Sequence, residues 1–247
     1  MDYINKIICG DCLEIMPSIP DKSIDMILCD LPYGTTACKW DTIIPFEPLW
    51  KQYKRIIKDN GAIVLFGSQP FTSMLIMSNL RWFKYCWVWE KSRKTGHMNA
   101  KKQPMKKHED IIVFGYGVLK YNPQNLIECN IEKKNTKGRL KSNIYGKTGN
   151  KKIHKQKYTN YPNSILKIKS EHNVNKHPTQ KPVALFEYLI KTYTNKGDLV
   201  LDNCAGSGTT GVACRNLDRN YILIEKEKKY VEIARRRISA IPELLFV

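Results

Sequence analysis

The stretch Ile24-Asp25-Met26-Ile27-Leu28-Cys29-Asp30-Leu31-Pro32-Tyr33-Gly34 decides the architecture. Its first six residues are almost all apolar, the pattern of a strand covered on both faces. Proline and glycine then break the run, which leaves Asp30, Pro32 and Tyr33 at the strand's carboxyl end. Similar runs recur at Ala62–Phe66, Tyr85–Trp89, Ile111–Phe114, Leu199–Leu201 and Tyr221–Ile224. Between Ile24–Cys29 and Ala62–Phe66, Leu49, Trp50, Tyr53, Ile56 and Ile57 fall on one face of a helix over Glu47–Ile57. Asn60-Gly61 is its expected stop. Pro182 suits the first turn of a helix carrying Leu185, Leu189 and Ile190. Strands alternating with helices predict an α/β domain on a mostly parallel sheet.

A chain of 247 residues can bury one sizeable core, or one core with an inserted lobe. No stretch approaches the length of a membrane span, and Met1–Lys6 opens no long apolar leader, so a cytoplasmic protein without a membrane partner is expected. The net charge of +18, from 41 basic and 23 acidic residues, favours a polyanionic partner through counterion release. The plainer reading of that charge is a surface kept soluble by repulsion. Eight cysteines include one C-x-x-C pair, Cys9 and Cys12, with no second pair at zinc spacing; no metal and no disulfide are expected.

The segment Tyr116–Lys176 differs from the rest. It holds 13 lysines and Arg139 against Glu128, Glu132 and Glu171, a net of +11, and lacks helical periodicity. Such composition packs poorly and fits a solvated loop. Leu126-Ile127, Ile144-Tyr145 and Ile165-Leu166 could instead form a small core, making 116–176 an inserted basic lobe between halves 1–115 and 177–247.

In open α/β sheets ligands bind beyond the carboxyl ends of the strands. Asp30, Asp202 and Glu225 each end an expected strand, so one rim would carry all three. An exocyclic ring amine is a poor nucleophile because its lone pair is delocalised. A carboxylate and a backbone carbonyl that accept its two N–H bonds favour a pyramidal nitrogen and free that pair. Asp30 can supply the first acceptor and the Pro32 carbonyl the second, while Tyr33 offers a stacking face. Alone, this stretch is equally well read as a strand ending in a turn.

Asp202-Asn203-Cys204-Ala205-Gly206-Ser207-Gly208-Thr209-Thr210 follows another apolar run and opens a helix. Gly206, Gly208 and Gly211 also fit the dinucleotide fingerprint, so a nicotinamide enzyme competes. Two features oppose it: Asp202 would repel a pyrophosphate, and little chain follows. S-adenosylmethionine has no phosphate, and its cationic groups welcome an acid. Glu225 suits the ribose hydroxyls, or simply opens the next helix, Lys226–Ile238.

Taken in order, these motifs resemble the DNA amino-methyltransferases of adenine N6 and cytosine N4, in their β-type arrangement with the catalytic motif first and the cofactor motif last. Asp30-Leu31-Pro32-Tyr33 resembles the catalytic tetrad, with Leu31 where Pro is commoner. Gly10-Asp11-Cys12-Leu13-Glu14 resembles the N-terminal segment, which implies Asp11 near the cofactor adenine. Asp11 also suits a helix N-cap. His177-Pro178-Thr179-Gln180-Lys181-Pro182 resembles the family signature before the cofactor strand, implying that Thr179, Gln180 and Lys181 line the methionine end, with Lys181 near its carboxylate. Trp89-Glu90-Lys91 and Lys107-His108-Glu109 resemble core segments. Asn203-Cys204 replaces the frequent Pro-Phe.

The resemblance implies a doubly wound sheet of the S-adenosylmethionine-dependent methyltransferase type, with 116–176 as target-recognition lobe. It implies Asp30, Pro32 and Tyr33 as catalytic residues, and Asp11, Thr179, Gln180, Lys181, Asp202, Gly206, Gly208, Thr209 and Glu225 around S-adenosylmethionine. Double-stranded DNA is the implied substrate, held by the lobe and by Lys91–Lys107. A homodimer and a cognate restriction endonuclease are further partners left open. Asp at the head of the tetrad leans toward adenine N6. Cytosine-N4 methylation, RNA methylation and an inactive DNA-binding protein are the alternatives.

Overall fold

The computed structural model describes the chain except residues 1–2, 37, 39–40, 135–139, 143–145, 149–152, 171–179 and 243–247. The chain forms two compact units, 1–122 with 164–247, and 123–163.

The larger unit runs β1 (Lys6–Cys9), α1 (Cys12–Ile15), β2 (Ile24–Cys29), α2 (Phe46–Ile56), β3 (Ile57–Gly67), α3 (Phe71–Ser78), β4 (Phe83–Thr95) and β5 (Lys106–Phe114). The smaller unit follows with β6 (Ile127–Lys134), β7 (Leu140–Ser142), β8 (Gly146–Thr148) and β9 (Ile153–Thr159). The chain then returns through β10 (Ile165–Lys167), α4 (Val183–Tyr193), β11 (Leu199–Asp202), α5 (Thr209–Asn216), β12 (Asn220–Glu225) and α6 (Lys228–Ser239).

Eight strands form one sheet in the order β1-β12-β11-β2-β3-β5-β4-β10. All neighbours are parallel except that β5 runs against both β3 and β4. The strands at its centre are buried on both faces, as their unbroken apolar runs require. Alternate residues feed two cores. Met26, Leu28, Val64, Phe66 and Leu223 pack with Leu185, Leu189, Ala213 and Val231 of α4, α5 and α6. Ile27, Cys29, Ile63, Leu65 and Ile222 pack with Cys12, Leu49, Tyr53, Phe71 and Leu75 of α1, α2 and α3. Helices of the two chain halves thus cover opposite faces, and the sheet is doubly wound.

Strands β2 and β11 are adjacent and parallel, with Leu201 opposite Ile27. The two halves of the chain therefore meet at the centre of the sheet, where the winding reverses. Ligand crevices form at such a point, and Asp30 and Asp202 both lie on this rim.

Three expectations are corrected. Asn60-Gly61 does not end α2, which gives way to β3 at Ile57. Gly61 lies inside β3, beside a register break between the Ile24–Ile57 and Met26–Ala62 pairs. A Cβ there would come within 2.8 Å of the Asp25 carbonyl, so close backbone approach is what calls for glycine. The lobe is shorter than 116–176. Leu166 is buried in the main core, β10 pairs with β4, and Lys120 reaches Asp198 at 2.5 Å, so both flanks fold with the larger unit. The small apolar core is also absent among the described residues. Ile127 and Ile165 are at least half exposed, and Ile144-Tyr145 lies outside the described residues. The smaller unit is instead two antiparallel pairs, β6 with β9 and β7 with β8.

All eight cysteines are free thiols. No helix among the described residues is long and apolar enough to cross a membrane. Trp50, Trp82, Trp87 and Trp89 are buried, as core residues.

Candidate active site

A cavity of about 660 Å³ opens at the rim of the larger unit. Its wall includes Asp30, Pro32 and Tyr33 from the end of β2, and Asp202 to Ser207 from the turn between β11 and α5. The first motif and the glycine turn, far apart in sequence, share one space because β2 and β11 are neighbours.

Both carboxylate oxygens of Asp30 have partners. The Tyr33 hydroxyl donates to Oδ1 at 2.7 Å, and the Lys181 ammonium donates to Oδ2 at 2.6 Å. The Tyr33 ring stacks on Phe71 with centroids 5.0 Å apart, so its orientation is set from both ends. Burial and the Asp30 charge push the Tyr33 hydroxyl well above its usual pKa, and it remains a proton donor to Asp30. Lys181 also lies 3.1 Å from Glu109 on β5, which in turn bonds Lys91 on β4 at 3.1 Å. Burial alone would lower the Lys181 pKa and raise that of Glu109. The charges they give each other, with Asp30 and Lys91, win in both cases, so both stay ionised. Lys181, expected at the methionine carboxylate, is placed on the catalytic-motif acid. A buried ammonium needs counter-charges, and these carboxylates supply them.

The loop after the tetrad is held by Asp41. Its carboxylate accepts the backbone amides of Gly34 at 2.9 Å, Thr35 at 2.9 Å and Thr36 at 2.7 Å. These bonds outweigh its burial and hold its pKa below the usual carboxylate value.

At the other end of the cavity, Asp202 is buried and accepts from the Cys204 amide at 3.1 Å and from the Thr210 hydroxyl. Burial pushes its pKa up to about 7, against the pull of those bonds. Asn203 is fixed by the buried Tyr53 hydroxyl at 2.6 Å. Gly206 has φ +50° and only open space where a side chain would project. Gly208, with φ +78°, serves packing: a Cβ would meet that of Ala234 at 2.6 Å, which fixes α6 close against the turn. Gly208 is not among the cavity-lining residues. Ser207 bonds Gln180 at 3.0 Å and Arg237 at 2.8 Å.

Glu225 accepts the amides of Gly206 at 2.7 Å and Glu227 at 2.8 Å, and burial raises its pKa despite them. It braces the glycine turn while lining the cavity. Asp11 caps α1 by accepting the Leu13 amide at 2.9 Å and also lines the cavity, so its two readings coexist. Gln180 and Thr209 line the same space; Thr179 lies outside the described residues.

No role was expected for Asp41 or Glu109, and Lys91 was expected on DNA phosphates as part of Lys91–Lys107; it is instead largely buried and paired with Glu109. Alternation along β4 and β5 puts Lys91 and Glu109 inside rather than in solvent, a signal present in the sequence. Nothing in the sequence marks Asp41, whose bonds depend on the path of a loop.

A family model described as DNA methylase matches residues 24–236. The type II methyltransferase M.HinfI of Haemophilus influenzae is 30% identical over 97% of this chain and 70% of its own length. M.HpaI of Haemophilus parainfluenzae is 27% identical over 95% of this chain and 74% of its own. Among solved structures, the M1.HpyAVI–SAM complex superposes with a TM-score of 0.63 at 26% identity, over 94% of this chain and 98% of that one. The PvuII cytosine-N4-specific DNA methyltransferase shares the fold, with a TM-score of 0.70 at 17% identity over 96% and 88% of the two chains. The doubly wound sheet, the order of its motifs and the matched span agree: this chain belongs to the DNA methylase family, in its adenine-N6/cytosine-N4 amino-methyltransferase class.

Proposed function

We propose that this chain is a type II DNA methyltransferase that moves a methyl group from S-adenosylmethionine to the exocyclic amine of a base turned out of duplex DNA, and that the base is adenine. The observation that carries the reading is the single cavity joining Asp30, Pro32 and Tyr33 to the glycine turn. A transfer between two ligands needs both in one space with their reacting atoms close.

The residues fit the cofactor. Its adenosine would lie toward Asp11 and Glu225, and its methionine part over Gly206, where open space replaces a side chain. Its cationic centre suits Asp202, whose carboxylate burial disfavours in the ionised form and a nearby positive charge would favour. When bound, it supplies the electrophilic methyl group.

The chain's own residues prepare the amine. Asp30 accepts one N–H bond and the Pro32 carbonyl the other, which pyramidalises the nitrogen. Tyr33 and Lys181 hold the Asp30 carboxylate in place, so little reorganisation remains at the moment of reaction. The base is out of reach inside a duplex and must be flipped. Asp30 at the head of the tetrad supports adenine N6, by resemblance. Cytosine N4 offers the same two N–H bonds, and an RNA base would meet the same chemistry.

The smaller unit carries nine lysines and Arg139 against Glu128 and Glu132, a net of +8, which supports a role as the part that engages DNA and reads its sequence. The type II designation of the relatives supports a cognate restriction endonuclease sharing the site.

Incubating the protein with labelled S-adenosylmethionine and unmethylated DNA, then separating the nucleosides by mass spectrometry, tests this reading. N6-methyladenine is expected. N4-methylcytosine would move the target to the other amine, label in competing RNA alone would change the substrate, and no methylated nucleoside would refute the proposal.

A further inference from the structure

Strands β4 and β5 run past the sheet. Beyond Lys91 β4 is exposed, and only Thr95 and Lys106 pair again before the chain turns. On this extension Lys91, Arg93 and Thr95 all line the cavity, so one edge of the hairpin is part of the cavity wall. Gly96, in the left-handed region with φ +90°, starts a turn closed by backbone bonds from Asn99 to Gly96 and from Ala100 to His97. This turn holds up Met98, which is 99% exposed.

The charge around that tip is one-sided: Arg93, Lys94, Lys101 and Lys102 flank Met98, with no acid between them. Cations on both sides of an exposed apolar side chain match a duplex, whose phosphates flank a stack of apolar base faces. Proteins that open a stack insert such a side chain, methionine included, beside groups that hold the backbone. Met98 is also close along the chain to the cavity: only Gly96 and His97 lie between it and Thr95 on the cavity wall.

We propose that Met98 is the wedge that enters the base stack and occupies the gap left by the target base, while Arg93, Lys94, Lys101 and Lys102 hold the flanking phosphates. This inference rests on the proposed methyltransferase function and names the part of the chain that extrudes the base. The same hairpin that walls the cavity then stands where the base has left, so extrusion and capture are coupled through one element.

The test is single-turnover transfer of label from S-adenosylmethionine to unmethylated genomic duplex DNA, by the wild-type chain, Met98→Ala and Met98→Leu. Met98→Ala is expected to slow transfer at least tenfold, and Met98→Leu to retain at least half the rate. Cofactor affinity by calorimetry and binding to a 30-base-pair random duplex by anisotropy should stay within threefold in both variants. Transfer by Met98→Ala within twofold of wild type overturns the inference and leaves the methyltransferase reading intact. Equal slowing in Met98→Leu also overturns it, because apolar bulk would then not be what matters. A wild-type chain that transfers no label overturns both.

Discussion

The Lys181 ammonium sits 2.6 Å from Asp30 and 3.1 Å from Glu109, and links the end of β2 to β5 in the cavity wall. Lys181 is nearly buried, and its partners are mostly so. It fixes the direction of the acid on which the proposed chemistry depends. Lys181→Met removes the shared cation and leaves two carboxylates facing each other. Breaking a buried pair costs about 3–5 kcal/mol, and the partial exposure of Asp30 places this case at the low end. Calorimetric unfolding should show that loss, and turnover should fall by at least a hundredfold. Adding Glu109→Gln should recover part of the stability but not the turnover.

Asp41 makes a separable prediction. It accepts three consecutive amides and touches neither Asp30 nor the glycine turn by any of those bonds. Asp41→Ala should cost about 2 kcal/mol, through amides left without their acceptor. In a chain of this size that lowers the melting temperature by about 4–8 °C. Turnover should fall because the loop carrying the tetrad's far side loosens, with cofactor affinity the less affected. A melting temperature unchanged from wild type would show that the loop holds without it.

Asp202 sets a pH dependence. Burial raises its pKa to about 7, so the neutral form is favoured in the fold and the ionised form in the unfolded chain. Its contribution to stability therefore falls as pH rises from about 4 to about 7, and is flat above. A cationic ligand favours the ionised form, so cofactor affinity should rise with pH up to about 7 and then level off. Isothermal titration calorimetry in buffers of different ionisation enthalpy should detect proton release on binding at pH 6. Asp202→Asn should bind more weakly and without that release. Proton release unchanged in Asp202→Asn would assign the titration to another group.

The smaller unit should carry part of the DNA affinity. Replacing Lys151, Lys152, Lys155 and Lys157 with glutamine removes four charges from it. The slope of log affinity against log salt should then shrink by about 1 for each phosphate that these lysines neutralise. Anisotropy titrations at several salt concentrations measure it, and an unchanged slope would show that this unit does not hold the DNA.

Much of the fold could be read in the sequence because buried parallel strands leave unbroken apolar runs. The run Ile24–Cys29 matches β2 at both ends. The failures were at edges and surfaces. Strand β1 carries a lysine and an exposed end, and β10 has only Leu166 buried, so neither has a run to find. The outer part of β4, from Lys91 to Thr95, holds only charged and polar residues, so no apolar run extends the expected strand past Trp89. Gly61 read as a helix stop because a glycine's use depends on which backbone approaches it, and that is set by distant chain. At the site, the three rim acids were legible from strand ends alone. The inward pairing of Lys181 with Asp30 was not, since 151 residues separate them and only the closed sheet brings them together.

The central claim is that Asp30 prepares the amine in a cavity shared with the cofactor. Single-turnover transfer of labelled methyl to duplex DNA by Asp30→Ala, with cofactor affinity measured by calorimetry on the same sample, tests it most directly. The account predicts cofactor binding within tenfold of wild type and no detectable transfer. Transfer at the wild-type rate would contradict it.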